Sequence, residues 1–171
     1  MSLNGAKPIM MHQRMDFLLL CMNQLVNMAA KLRYMSSGQH SVPLVVRAAI
    51  GRSWGQGAQH SQSFHSYFMH IPGIKVVAPT TPHDAKGCLI ASIRDNNPVI
   101  FLEHRMLYSN TGYVPSETYE VEFGKGRVLV EGTDITLVGV SYTVTDCIRA
   151  ALALKKIGIS AEVIDPVSLS P

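Results

Sequence analysis

The chain has 171 residues, 47% of them hydrophobic and 16% charged, with a net charge of +3. This balance suits a folded domain with a sizeable core; it excludes a disordered chain, and the charge is too small to point to nucleic acid. No apolar run approaches the roughly 18 residues of a membrane span. The longest, Phe17 to Met22, is closed by Asn23 and Gln24.

The chain opens without a charged leader, apolar stretch and small-residue cleavage site, so a cytoplasmic protein is expected. Cys21, Cys88 and Cys147 lie far apart, odd in number and without a C-x-x-C spacing. Free thiols fit that pattern better than a disulfide framework or a zinc site. The charge is unevenly placed. Residues 1–116 hold ten Lys/Arg against four Asp/Glu, and residues 117–171 hold five against eight. The change of sign marks an expected domain boundary.

In chain order, Asp16 to Tyr34 contains no Pro or Gly, and its apolar residues cover most of a helical surface. The pattern predicts a helix capped by Asp16 and buried on nearly all sides, with a second subunit supplying part of that burial. Val42 to Ile50 is a β-branched run without alternation, as expected of a strand covered on both faces. The glycine-punctuated stretch Gly51 to Gly57 reads as a loop, and Ser61 as the cap of a short helix reaching Met69. Ile74 to Ala78 predicts a strand. Thr81-Pro82-His83-Asp84 starts a helix, with Thr at the cap, Pro at the first helical position and an acid three residues after the cap. That helix runs to about Arg94, and Val99 to Glu103 is the next strand. Residues 105–131 lack periodicity and read as a linker with irregular pairing. Ile135 to Val140, Val144 to Ile157 and Ile159 to Ile164 then predict a second strand, helix and strand, with Gly158 as the helix C-cap.

The candidate chemistry begins with seven histidines. His60, His65 and His70 lie five apart, so on a helix each turns about 140° from the last and they share no face. The i, i+4 spacing of a helical metal site is missing. His60 stands out because it joins a glycine-rich loop to an expected helix start at the end of a strand, where α/β proteins place ligands. From position alone, structural and catalytic roles for it stand level. No P-loop, G-x-S-x-G elbow or close carboxylate pair occurs, which leaves phosphate-loop, serine-hydrolase and glycosidase readings without support.

Several words in order carry more information: Asn27-Met-Ala-Ala-Lys-Leu-Arg-Tyr34, Val45-Val-Arg47, Gly57-Ala-Gln-His-Ser-Gln-Ser63, Pro72-Gly-Ile-Lys-Val-Val-Ala-Pro79, Ala85-Lys-Gly87 and Asn97-Pro-Val-Ile-Phe-Leu-Glu103. At these spacings the chain resembles the beta subunit of the thiamine-diphosphate-dependent 2-oxoacid dehydrogenases, the family of the pyruvate, branched-chain 2-oxoacid and acetoin enzymes. The resemblance spans about Lys7 to Pro171. It implies an α/β fold: a three-layer parallel sheet forming a transketolase-like pyrimidine-binding domain over residues 1–116. A linker over 117–133 and the start of a transketolase C-terminal domain over 134–171 would follow.

The resemblance also implies thiamine diphosphate with Mg2+, the diphosphate and metal being held mainly by an alpha subunit. It implies a heterotetramer with a second beta subunit, and acyl transfer to a lipoyl acyltransferase core. His60 corresponds to the family histidine that faces the active-site channel and assists acyl transfer. Phe17 corresponds to the aromatic beside the cofactor ring, and an aromatic suits stacking on a pyrimidine; a core role for Phe17 is the alternative. A structural K+ is implied at Ser92, Asp95 and Asn97, where a helix C-terminus offers unsatisfied oxygens; a simple helix stop is the alternative there.

The family's cofactor-activating glutamate has no counterpart, because no I-x-E-x-G word occurs and Glu103 lies in the wrong place. The expectation is therefore a portion of a longer subunit, shortened at both ends and inactive alone. Two alternatives stand beside it: a non-catalytic assembly module, and a fragment of another transketolase-like synthase such as a deoxyxylulose-phosphate synthase.

Overall fold

The computed structural model describes residues 1–170. Its first sheet contains β1 (Ile9–His12), β2 (Val45–Ile50), β3 (Lys75–Val77) and β4 (Val99–His104), all parallel, and a later strand antiparallel to β3. The helical elements around it are a 3₁₀ run at Met15–Cys21, a π-helical run at Asn23–Ala29, then α1 (Ala30–Met35), α2 (His65–Met69) and α3 (Pro82–Arg94). Alternate residues of a strand face opposite sides, and both sides are covered. Val46, Ala48, Ile50, Val76, Ile100 and Leu102 pack with Met15, Leu18, Leu25 and Phe68 on one face. Val45, Val77, Val99 and Phe101 pack with Cys88 of α3 on the other. This is the expected three-layer α/β architecture, and the continuous apolar runs of β2 and β4 follow from burial on both faces.

The second unit holds β5 (Arg127–Val130), β6 (Ile135–Val138), α4 (Tyr142–Lys155) and β7 (Ala161–Asp165). β6 and β7 are parallel and joined through α4, while β5 runs antiparallel to β7. The chain then returns to the first sheet, where β8 (Ser168–Ser170) pairs with β3. Three further ties hold the two units together. Arg127 forms an ion pair with the fully buried Asp84. His104 stacks on Tyr142 with ring centroids 5.0 Å apart. Thr80 Oγ1 donates to the Ser141 carbonyl at 3.3 Å.

The expected start of α3 is present: Thr81 Oγ1 accepts from the Asp84 N–H at 3.1 Å, with Pro82 at the first helical position. Gly158, with φ of +82°, ends α4 as expected. The helix expected over Asp16 to Tyr34 differs in winding and burial. Its inward positions are Met15, Leu18, Cys21, Leu25 and Ala30, a spacing that widens from three to five as the winding passes from 3₁₀ to π. Burial on nearly all sides is not met within this chain: Leu20 is 83% exposed and Tyr34 89%. Asp16 is not the cap, which falls at Arg14; its carboxylate is turned inward to Gln62. Ser61 does not cap α2 either, because the chain first makes a 3₁₀ turn at Ala58–His60 and α2 begins only at His65. The stretch read as an irregular linker contains β5, whose Val128 and Leu129 remain exposed.

Candidate functional site

The carboxyl ends of β1, β2 and β4 lie side by side, and the segments leaving them meet. After β1 the chain passes through Gln13 to Phe17; after β2 it makes the loop Gly51 to Gly57 and the turn carrying His60; after β4 it reaches Arg105. The rings of Phe17 and His60 are in contact, edge to face, with centroids 5.4 Å apart and planes at 76°. The two residues singled out by the resemblance, 43 positions apart, therefore form one pair. Phe17 is 48% exposed, so it is a surface aromatic rather than a core residue.

Three side chains, those of Asp16, Met15 and Arg105, zip the Phe17 segment to the His60 segment. Asp16, 8% exposed, accepts at Oδ1 from the Gln62 backbone N–H at 3.1 Å and from Gln62 Nε2 at 2.9 Å. The Phe64 N–H lies 3.2 Å from Met15 Sδ. Arg105, 7% exposed, donates through one terminal nitrogen to the Gly51 carbonyl at 2.6 Å and to the His60 carbonyl at 3.0 Å. Its other terminal nitrogen donates to the Gln13 carbonyl at 3.4 Å. The Gly51 N–H in turn donates to the Gln62 carbonyl at 3.3 Å, closing the loop at its base. Gly51 has φ of +79°, and a Cβ there would collide with the His104 ring, so glycine is required on both counts.

Ser92, Asp95 and Asn97 lie at the opposite edge of the sheet, where α3 ends and β4 begins. Ser92 is buried and its Oγ donates back to the Cys88 carbonyl at 2.6 Å. Asp95 Oδ1 accepts from the Asn97 backbone N–H at 2.7 Å and from Asn97 Nδ2 at 3.0 Å, while Oδ2 pairs with Lys75 Nζ at 2.7 Å. Burial pushes the Asp95 carboxyl up, but the Lys75 pairing and the Asn97 hydrogen bonds outweigh it and hold the group below its ordinary value. Lys7 Nζ covers the last carbonyls of α3, donating to Arg94 O at 2.7 Å and Asp95 O at 3.4 Å. The Ser92 hydroxyl, the Asp95 carboxylate and the Arg94 and Asp95 carbonyls are thus engaged by the chain's own groups.

Neither Phe17 nor His60 lines the 480 Å³ cavity beside α3, whose walls include Arg47, Thr81, Leu89, Phe101 and Glu103. Arg47 Nε donates to Glu103 Oε1 at 2.7 Å, and the Tyr108 hydroxyl donates to Oε2 at 3.2 Å. Burial and then the Glu103 charge push the Tyr108 phenol up to about 12. Arg47 and Glu103 are thus paired with each other, while Lys86 on the same cavity wall donates to the Ser116 carbonyl at 3.2 Å and the Glu117 carbonyl at 2.8 Å. Both places lie at strand carboxyl ends, and the ring pair is the better candidate because its aromatic face is open and tied up in no ion pair.

Among the described residues no group of three or more His, Cys, Asp or Glu could hold a metal ion. Of the implied cofactor, the aminopyrimidine end of thiamine diphosphate fits this edge, since a half-exposed aromatic face and an imidazole suit a flat heterocycle. Asp16, Gln62 and Arg105 were missed in the sequence. Only the Gly51 to Gly57 glycines signalled that this loop needed unusual support.

Two family descriptions match the chain: "Transketolase, pyrimidine binding domain" over residues 1–111 and "Transketolase, C-terminal domain" over residues 124–171. It is 45% identical over 167 residues to the acetoin:2,6-dichlorophenolindophenol oxidoreductase subunit beta of Cupriavidus necator, covering 98% of this chain and 49% of that protein. It is 42% identical to the pyruvate dehydrogenase E1 component subunit beta of Bacillus subtilis, covering 100% of this chain and 53% of that one. The chain thus spans about half the length of the curated relatives it matches. A solved structure titled "Split gene transketolase, inactive beta4 tetramer" superposes with a TM-score of 0.77 at 23% identity, covering 98% of this chain and 51% of that one, and supports the fold. The parallel-stranded first sheet and the match over residues 1–111 lead to one conclusion: the chain belongs to the transketolase pyrimidine-binding domain family.

Proposed function

We propose that this chain is the pyrimidine-binding portion of the beta subunit of a thiamine-diphosphate-dependent 2-oxoacid dehydrogenase. In this reading it works in the cytoplasm with an alpha subunit, a second beta subunit and a lipoyl acyltransferase core. Its pyrimidine-binding domain covers residues 1–116, with a linker over 117–133 and the start of the C-terminal domain over 134–171. The observation that carries the reading is the Phe17–His60 ring pair at the carboxyl ends of three adjacent parallel strands. Two beta-subunit relatives above 40% identity support the class.

Bound at this edge, thiamine diphosphate supplies the electron sink for breaking the bond beside a 2-oxo carbon. The exposed face of Phe17 stacks on a flat ring and excludes water from it. The His60 imidazole both donates and accepts hydrogen bonds, so it can hold or pass a proton where the acyl group leaves. The Mg2+ and diphosphate ligands come from the alpha subunit. The exposed apolar side chains Leu20, Met28 and Tyr34 suit burial against another subunit. A structural K+ at Ser92, Asp95 and Asn97 would compete with Lys7 and Lys75 for the same oxygens. Exchanging potassium for choline during thermal unfolding tests that competition.

The test of function is calorimetric titration of thiamine diphosphate, with and without a matching alpha subunit, on the wild type and on His60→Ala and Phe17→Ala. Cofactor binding in the mixture that weakens in Phe17→Ala supports the proposal. A second reading, a non-catalytic assembly module, is favoured by the exposed apolar side chains Leu20, Met28 and Tyr34, which suit burial against another subunit without any chemistry. A stable complex with the alpha subunit that binds no cofactor would decide for it.

A further inference from the structure

We infer that Arg105 is a positioning residue: its guanidinium holds the Phe17 and His60 rings together by clamping the backbone of the two segments that carry them. The inference rests on reading that ring pair as the cofactor-facing site.

Arg105 is 7% exposed and forms no ion pair with a carboxylate among the described residues. A buried charge without a counterion needs hydrogen bonds to offset its lost hydration. Those bonds go to the carbonyls of Gly51, His60 and Gln13. The three carbonyls come from both ends of the loop after β2 and from the segment that leads from β1 into Phe17. A planar fork with five donors suits three acceptors that converge from different directions, and a lysine ammonium suits them less well.

The clamp acts on backbone atoms, so it fixes where the two rings start from rather than touching either ring. His60 is the last residue of its 3₁₀ turn, with its carbonyl held and its ring against Phe17. Asp16 adds a second tie between the same segments through Gln62. Arg105 and Asp16 thus hold the ring pair from the flanks, and neither needs to contact a substrate. Because the anchor is the residue after β4, the geometry of this edge is referred to the central strand of the first sheet.

The test uses the isotope-labelled 171-residue chain and two variants, Arg105→Met and Arg105→Lys, followed by nuclear magnetic resonance and hydrogen exchange. In the wild type a nuclear Overhauser cross-peak is expected between the Phe17 and His60 rings. In Arg105→Met that cross-peak is expected to vanish, and exchange at His60, Ser61 and Gln62 to rise on the order of tenfold or more, while β7 and α4 are unchanged. Arg105→Lys, which keeps the charge and fewer aligned donors, is expected to fall between the two. A folded Arg105→Met with the cross-peak and exchange intact overturns the inference. So does unfolding of both variants, which would make Arg105 a stabilising group only. Thiamine at millimolar concentration serves as the ring probe. If the cross-peak depends on Arg105 but thiamine, and thiamine diphosphate with a matching alpha subunit present, move neither ring's signals, the clamp stands and the cofactor reading fails.

Discussion

The two edges of the first sheet use the same kinds of polar group to opposite ends. At the amino edge of β4, the oxygens of Ser92, Asp95 and Asn97 and the last carbonyls of α3 are engaged by Lys7, Lys75, Arg33 or neighbouring atoms. At the carboxyl edge, the backbone is held just as firmly by Arg105 and Asp16, yet the side chains of Phe17 and His60 are left facing outward. An edge that satisfies everything it exposes contributes stability. An edge that spends its hydrogen bonds on backbone and leaves a ring pair open is arranged to receive something.

His60 should show the largest contrast. In an assembled enzyme containing this chain, His60→Ala is expected to lower acyl transfer by about 10²–10⁴-fold, the usual worth of a positioned proton-transfer group. The same change should alter stability by no more than about 0.5 kcal/mol, as for an ordinary surface substitution. Steady-state kinetics with lipoamide and thermal unfolding read the two effects separately. A large stability loss with turnover per site preserved would place His60 with the amino edge instead.

Phe17→Ala comes next. Stacking of an aromatic on a base is worth about 1–3 kcal/mol by alanine substitution, which corresponds to roughly tenfold to a hundredfold weaker binding. Calorimetry of thiamine diphosphate binding to the assembled complex measures it. Phe17→Tyr should retain most of the affinity, because it keeps the ring face. Equal losses in both variants would show that shape at this position matters and stacking does not.

How much of this contrast was legible in the sequence depended on distance along the chain. The start of α3 could be read because Thr81, Pro82 and Asp84 act within four residues. β2 and β4 could be read because burial on both faces leaves continuous apolar runs. β1 could not, since Ile-Met-Met-His has little β-branching and owes its form to pairing with β2. β5 and β8 are short and lean on distant strands in the same way. Phe17 and His60 were legible through the resemblance, but nothing local showed that they touch. The residues that bring them together act across 45, 46 and 92 positions, in Arg105 with His60, Asp16 with Gln62 and Arg105 with Gln13.

At the amino edge, Asp95→Asn is expected to cost about 1.5–3 kcal/mol near neutral pH, the range for hydrogen bonds to a charged group. The folded carboxyl titrates below its ordinary value, chiefly through Lys75 and Asn97 acting against burial. Its stabilisation is therefore present above the ordinary carboxylate range and lost as pH falls through the lowered folded value. Unfolding curves for the wild type and Asp95→Asn should converge on acidification, while cofactor binding stays equal in both. Curves that remain parallel into the acid range would remove Asp95 from the account.

The smallest expected effect belongs to His104, which joins the carboxyl edge to the second unit. Its ring lies against Gly51 and stacks on Tyr142 of α4, and its Nδ1 accepts from the Met106 N–H at 3.2 Å. An Nδ1 that accepts carries no proton, so the folded ring is neutral with its proton on Nε2. Burial, then the charges of Arg105 and Arg52, hold its pKa below the ordinary histidine value, with Asp146 opposing weakly. The unfolded chain consequently takes up a proton at a higher pH than the folded one. Stability is complete above about pH 6.5 and declines as pH falls from there to the folded value. Protonation also removes the Met106 hydrogen bond and adds a charge beside Arg105, so the loop clamp and the contact with α4 should loosen together. His65, whose pKa is likewise lowered by burial, titrates in the same direction, so the measurement must be a difference between variants. Between pH 7.5 and 5.5 the wild type should lose more stability than His104→Gln, in the direction set by the lowered folded value. An equal loss in both chains would assign the acid sensitivity to His65 and leave the joint between the two units indifferent to pH.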